Sequence, residues 1–92
     1  MSHTFTAKVE RFDCNMGWHY VSVPADLCEP LKVFADRGLI AVTATVGSSS
    51  WPTSLLPMGD GTHFVALAAK IRKQEGIELG DEIEMSFELR QR

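Results

Sequence analysis

The sequence predicts a small, mainly β domain of the α+β type: a six-stranded split or pseudo-β-barrel capped by two short helices. Six short segments either alternate apolar and polar residues or are rich in β-branched and aromatic types. Turn signals containing Gly, Pro, Asn or Ser separate most of these segments. Because short open sheets expose unpaired edges, closure into a barrel is the most economical arrangement for so few residues.

The first and last predicted strands have the clearest alternation. Both residues 3–12 and residues 82–89 place an apolar side chain at every second position, and these side chains are expected to face inward: Phe5, Ala7 and Val9 in the first strand, and Ile83, Met85, Phe87 and Leu89 in the last. The other four predicted strands are residues 18–23, 39–46, 50–57 and 62–68. Two prolines, Pro52 and Pro57, restrict the strand over 50–57 to an edge or an irregular path, because proline has no N–H for the ladder.

The two predicted helices differ in how clearly the sequence marks them. The first has one apolar stripe at helical spacing, made by Leu27, Leu31 and Phe34. Pro30 is tolerated only in a first turn, so this helix is expected to begin near residues 28–29 and to stop at Gly38. Residues 69–75 are good helix formers, and Gly76 ends that second helix.

Composition limits the class of protein. The chain has 92 residues, of which 45% are hydrophobic and 23% charged, so we expect one globular domain over residues 1–92. Nine Lys and Arg against 12 Asp and Glu give a net charge of -3, which argues against nucleic acid as a partner. No signal peptide, membrane-length apolar run or disulfide framework is visible, so we expect a cytoplasmic protein, with Cys14 and Cys28 as free thiols and no membrane partner.

Several motifs follow one another in a recognisable order. They are WHYVSVP over residues 18–24, WPTSLLPMGDG over residues 51–61, KIRK over residues 70–73 and Gly80-Asp81. With these motifs the chain resembles, over essentially its whole length, the family called domain of unknown function 1905. The resemblance implies a small six-stranded split barrel capped by helices, similar to the AbrB/MazE-like transcription factors, and it implies no established activity. Many members continue into a segment of the YdeI/OmpD-associated type, so we expect this chain to be a stand-alone version or a fragment.

Aromatic residues are the first candidates for ligand binding: Trp18, Tyr20 and Trp51. Side chains alternate along a strand, so Trp18 and Tyr20 are expected to share the face opposite Val21 and Val23. If that face points outward, the rings form a stacking or association surface. The alternative is that the rings cover the barrel under a helix, since aromatic side chains dominate small cores.

The basic cluster is the second candidate site. Lys70 and Arg72 are two residues apart and are therefore expected to point to different sides of a helix. An anion site would form if one of them meets Ser54 or the hydroxyl groups of residues 48–50. The alternative is a solvated helix face, which together with Lys73 balances the acidic last strand.

Residues suited to nucleophilic catalysis, metal binding and redox chemistry are present, but no sequence pattern supports any of these three activities. The serines at 48–50 and 54, with Asp60 and His63, lack the nucleophile motif G-x-S-x-G. The possible metal ligands His3, His19, His63 and Cys14 lack a close pair. Cys28 lies near a predicted helix start and is the better redox candidate, although a buried cysteine usually acts as a small hydrophobic side chain. The sequence therefore predicts no catalytic residue, no metal and no cofactor.

These observations predict a non-catalytic binding or interaction module, with a homo-oligomer as one form of interaction. The alternative is a DNA-binding regulator, by analogy with AbrB-like split barrels. A second alternative is a small-molecule enzyme with an anion site. The predicted ligand-binding residues are Trp18, Tyr20, Trp51, Ser54, Lys70 and Arg72.

Overall fold

The computed structural model describes residues 2–13 and 17–90, so the candidate thiol and metal ligand Cys14 lies outside the described residues. The strands are β1 (Ser2–Lys8), β2 (Glu10–Arg11), β3 (His19–Val23), β4 (Ile40–Val46), β5 (Ser49–Pro57), β6 (His63–Ala66) and β7 (Glu82–Leu89). The helical elements are α1 (Ala25–Cys28), a 3₁₀ helix (Glu29–Phe34) and α2 (Ala69–Glu75).

One bent strand closes the sheet. The seven strands form a single antiparallel sheet in the order β1-β7-β4-β5-β6-β3-β2. Only Val9 separates β1 at one end of this order from β2 at the other, and Val9 is 1% exposed. Its N–H donates to Asp81 O at 2.8 Å, and its carbonyl accepts from the N–H of Gly80 at 2.9 Å. The barrel prediction is confirmed; the strand count is seven because the predicted strand over residues 3–12 divides at Val9, where its pairing changes from β7 to β3.

The barrel core follows from the alternation of apolar residues. The predicted inward faces of β1 and β7 are confirmed, and together with one face of β4 they supply these buried side chains: Phe5, Ile40, Val42, Ala44, Val46, Met85 and Phe87. The Phe87 ring meets the Phe5 ring edge-on, with centroids 6.1 Å apart. On β3, Val21 and Val23 are buried in the same cluster, so Trp18 and Tyr20 belong to the opposite face, as the alternation predicts.

The barrel is split on one side of β5. This strand pairs with β4 over residues 49–55 and with β6 only at Leu56 and Pro57, so residues 49–55 have no second strand partner. Pro52 lies in this half-paired part, which confirms the predicted restriction, because a missing N–H costs least where no neighbouring strand needs a donor. Helix α2 contacts β5 here, and the split therefore opens between a strand and a helix.

The first predicted helix is wrong in its bounds and partly in its type. It begins at Ala25, continues from Cys28 as a 3₁₀ helix and ends at Phe34. The α-helix stops because Pro30 has no N–H to donate to the carbonyl of Asp26. Phe34 was expected on the buried stripe but is 61% exposed, because the chain becomes extended directly after it, at Ala35.

The second helix has the predicted bounds, Ala69–Glu75. Gly76 ends it in the left-handed conformation, with φ 64°, as a residue without a side chain permits. Among the described residues, no helix is both long enough and apolar enough to cross a membrane.

Candidate functional site

Two adjoining clefts lie along the split between β5 and α2. The first, which we call the tryptophan cleft, has a volume of about 410 Å³. Its principal lining side chains come from β3, β5, the end of β6 and α2: Trp18, His19, Trp51, Thr53, Leu67 and Arg72. Three of the six predicted ligand-binding residues, Trp18, Trp51 and Arg72, therefore meet at one cleft.

The two tryptophan rings have no aromatic partner within the part of the chain that the structure describes. Trp18 is 47% exposed, and Trp51 is half-buried. Trp51 is the β5 partner of the small, buried Ala44 of β4, and cross-strand partners point to the same face of a sheet. The Trp51 ring therefore points to the inner face of the barrel, in the part of β5 that borders the split. Both rings are consequently available to a flat or apolar group that enters the cleft.

Arg72 supplies the charge of the tryptophan cleft. Its Nε donates to Leu67 O at 3.2 Å, which fixes the guanidinium beside the end of β6. The only ion pair among the described residues joins Lys32 to Glu29, so no carboxylate of the described chain pairs with Arg72. Its terminal N–H groups can therefore donate to a bound anion.

His19 adds no positive charge at neutral pH. Burial lowers the pKa of its imidazole from the ordinary value of 6.5, and the positive charges of Arg72 and Arg11 lower it further. Among the described residues, the guanidinium of Arg72 is therefore the single group that lines the tryptophan cleft and is charged at all pH values near neutral.

The second cleft, which we call the serine cleft, has a volume of about 670 Å³. Its polar lining consists of Ser48, Ser49, Ser50, Lys70, Gln74 and Glu75. It shares Trp51 and Ala68 with the tryptophan cleft, so the two clefts adjoin at the Trp51 ring. Lys70 and Arg72 thus line different clefts, and Lys70 lies in the same cleft as the hydroxyl groups of residues 48–50.

A set of hydrogen bonds, here named the serine–glutamate clasp, ties α2 to the turn between β4 and β5. The carboxylate of Glu75 accepts from the hydroxyl of Ser48 at 3.3 Å and from the hydroxyl of Ser49. Ser49 also lies 3.3 Å from the side-chain oxygen of Gln74. Gly47 makes this approach possible, because a Cβ at that position would lie 2.1 Å from Glu75 Oε1. Sequence reasoning missed Gln74 and Glu75, since their partners are about 25 residues away and only the fold brings them together.

Two predicted ligand-binding residues, Tyr20 and Ser54, line neither cleft. The Tyr20 ring stacks on Phe12 at 4.0 Å and meets Phe64 edge-on at 5.5 Å. Burial raises the pKa of the Tyr20 hydroxyl, and the charge of Glu10 raises it further. Tyr20 on β3 and Trp18 directly before β3 therefore have different surroundings, a ring cluster for Tyr20 and the tryptophan cleft for Trp18.

The residues considered for nucleophilic chemistry have separate partners. His63 is buried, and its Nε2 lies 3.1 Å from Gly38 O, whereas its Nδ1 has no hydrogen-bond partner among the described residues. Asp60 accepts from the hydroxyl and the N–H of Thr62, and these two bonds hold its pKa below the ordinary value.

The considered metal and redox residues are also separate. Within residues 2–13 and 17–90, no three His, Cys, Asp or Glu side chains are grouped so as to hold a metal ion. Cys28 is completely buried, and its Sγ lies 3.7 Å from Ala25 O. In this position it packs as a small core side chain.

The fold and the clefts define a small antiparallel β-barrel, nearly closed, whose one split side carries an aromatic cleft with a single guanidinium. The chain belongs to the family described as Domain of unknown function (DUF1905), which matches residues 5–87 and so covers nearly the whole barrel. Comparison with curated proteins gives no match.

Proposed function

We propose that this protein is a binding module that takes up small organic anions with an apolar or aromatic part in the tryptophan cleft and does not transform them. The observation that carries the proposal is the convergence of Trp18, Trp51 and Arg72 on one cleft. The rings supply apolar contact area, and the guanidinium supplies charge-assisted hydrogen bonds in a planar arrangement that suits carboxylate or phosphate.

Size and electrostatics support the same ligand class. The volume of about 410 Å³ falls in the range of roughly 300–1,000 Å³ that is usual for small-molecule sites. Arg72 is the one charged residue among the described residues that line the cleft, so the cleft favours an anion over a neutral or cationic ligand. The net charge of -3 disfavours duplex DNA, whose binding depends on neutralising many phosphates.

Calorimetric titration of the 92-residue chain with 4-methoxybenzoate tests the proposal. Arg72→Gln should weaken binding about tenfold, since a hydrogen bond to a charged group contributes about 1.5–3 kcal/mol and exposure places this one at the lower end. Lys73→Gln is the matched control: it removes the same charge from an exposed position of α2 that lines neither cleft, and it should change the affinity less than twofold.

Two outcomes would count against the proposal. Absence of saturable binding would remove its basis, and equal losses in the Arg72→Gln and Lys73→Gln variants would mean that only the overall charge matters. The neutral analogue 4-methoxybenzyl alcohol should bind at least tenfold more weakly than the anion, because it gives the guanidinium no charge to bind.

We also propose that the protein is cytoplasmic and that it self-associates, as expected from the sequence. The buried, unpaired thiol of Cys28 is compatible with a reducing compartment. Light scattering over a range of protein concentrations measures self-association directly, and a constant monomer mass would exclude it.

A further inference from the structure

We infer that the tryptophan cleft and the serine cleft form one groove, and that its ligand is a hydroxylated organic anion of the carbohydrate type. The anionic end lies at Arg72, an apolar ring crosses Trp51, and the hydroxyl groups occupy the serine cleft. This inference rests on the proposed function and adds the second half of the ligand. Its starting point is that Trp51 and Ala68 line both clefts.

The charges along the groove are unequal. The tryptophan cleft carries Arg72 alone, whereas the serine cleft carries Lys70 and Glu75, whose charges are opposite. Neither Lys70 nor Glu75 belongs to an ion pair in the described part of the chain. A ligand that complements both halves is therefore negative at one end and uncharged but rich in hydrogen-bonding groups at the other.

The hydrogen bonds of the serine–glutamate clasp determine which donors and acceptors in the serine cleft remain for ligand hydroxyl groups. Both serine hydroxyls of the clasp are directed to Glu75 Oε2, and the side-chain oxygen of Gln74 faces Ser49. Within the described residues this leaves Glu75 Oε1 as an acceptor and the amide nitrogen of Gln74 as a donor without an assigned hydrogen bond. Lys70 adds a second donor. Neutral hydroxyl groups, which both donate and accept, match this mixture better than a second anion does.

Arg72 and Glu75 are three residues apart on α2, a spacing at which opposite charges can pair. Instead Arg72 Nε donates to Leu67 O, and the Glu75 carboxylate is held by the serine hydroxyls. Arg72 therefore lines the tryptophan cleft and Glu75 lines the serine cleft, and the Trp51 ring lines both clefts. Sugar rings and aryl groups both have an apolar face that packs on an indole ring, so the shared wall suits the middle of such a ligand.

Three probes separate the parts of the groove: 4-methoxybenzoate, 4-(β-D-glucosyloxy)benzoate and phenyl β-D-glucoside. The glucosylated benzoate has a carboxylate, an aryl ring and a sugar in line, so it should bind at least tenfold more tightly than 4-methoxybenzoate. Phenyl β-D-glucoside, which lacks the anion, should bind at least tenfold more weakly than the glucosylated benzoate. Calorimetry with the full chain gives all three dissociation constants.

Variants assign the gain to the serine cleft. Gln74→Ala should remove most of the tenfold advantage of the sugar, so that the two benzoates bind with similar affinity, and Arg72→Gln should weaken both anions. Lys73→Ala, exposed on the same helix and outside both clefts, is the control for Gln74→Ala. Amide NMR spectra show whether each variant keeps the wild-type fold, and Ser50→Ala provides a second, independent change in the serine cleft.

The outcomes are distinguishable. Equal affinity for the two benzoates would overturn this inference and leave the proposed function standing, whereas failure of 4-methoxybenzoate to bind would overturn the proposed function itself. A sugar-dependent gain that persists in both Gln74→Ala and Ser50→Ala would place the sugar elsewhere and would also overturn the inference.

Discussion

Replacing Gly47 by alanine should break the serine–glutamate clasp. Gly47 has φ 58°, and a Cβ built there lies 2.1 Å from Glu75 Oε1 and 3.0 Å from Glu75 Cδ. These distances are too short for real contacts, so the carboxylate must shift away from Gly47. We expect its bonds from Ser48 and Ser49 to be lost, which leaves the Ser49–Gln74 contact as the remaining bond of the clasp.

The expected magnitude has two parts. An L-residue at this positive φ costs about 1–2 kcal/mol. Two hydroxyl–carboxylate bonds contribute about 1–2 kcal/mol together, since each is partly exposed and typical net values are about 0.5–1.5 kcal/mol. The Gly47→Ala variant should therefore lose about 2–4 kcal/mol of unfolding free energy, and each kcal/mol lowers the melting temperature of a domain of this size by about 4–8 °C.

A double-mutant cycle with Glu75→Ala separates the two parts. The single Glu75→Ala change already removes the two carboxylate bonds of the clasp, so adding Gly47→Ala to it should cost only the backbone strain of about 1–2 kcal/mol. Urea unfolding followed by tryptophan fluorescence gives the four free energies. If Gly47→Ala costs the same in both backgrounds, the carboxylate moves aside without loss of stability, and the reasoning that the alanine breaks the bonds of Glu75 is refuted.

Three further predictions concern the core, a titrating group and a thiol. Phe87→Ala should lower the unfolding free energy by about 3–5 kcal/mol because the ring is fully buried, whereas truncation of the exposed Phe34 should cost less than about 1 kcal/mol in the same urea titration. The NMR titration of His19 should have its midpoint below pH 6.5, and the midpoint should rise when 4-methoxybenzoate offsets the nearby guanidinium; a fixed midpoint would place the anion elsewhere. Folding lowers the pKa of His19, so the contribution of His19 to folding stability is complete above pH 6.5, the unfolded pKa, and is lost as the pH falls through the folded pKa. Over the same decrease in pH the imidazole gains a positive charge, so the affinity for the anion should increase. In a Cys14→Ser background, the buried Cys28 should react with a thiol reagent only as fast as the protein opens, and rapid stoichiometric labelling would contradict its place in the core.

The elements that the sequence predicts best are those whose signal is local. A period of two over residues 82–89 identifies the buried face of β7, because each side chain's direction depends only on its neighbours in the strand. Residues 69–75 combine helix formers with a glycine directly after them, and the structure ends α2 at that glycine. The type and bounds of the helix over residues 25–34 are harder to predict. Pro30 permits the helix to continue as a 3₁₀ helix, and apolar residues at helical spacing do not distinguish that from an α-helix.

The candidate site was predicted only in part, because it depends on contacts between distant segments. The sequence marks Trp18, Trp51 and Arg72 as unusual residues, but nothing local shows that they share a cleft while Tyr20 packs against other rings. Glu75 reads from the sequence as an ordinary exposed acid near a helix end. Its role as the partner of the serine turn follows only from the way α2 lies against the half-paired strand β5.

The half-paired edge of β5 also bears on which ligands the groove admits. The two-residue turn that joins β4 to β5 makes Val46 and Ser49 a hydrogen-bonded pair, so alternation places Pro52 at a position whose nitrogen points away from β4 and into the split. An added peptide strand would need a donor at that point, and proline has none. Helix α2 also contacts β5. The missing donor at Pro52 therefore interrupts the ladder that an added strand would form, which favours recognition of a small polar molecule over the addition of a strand.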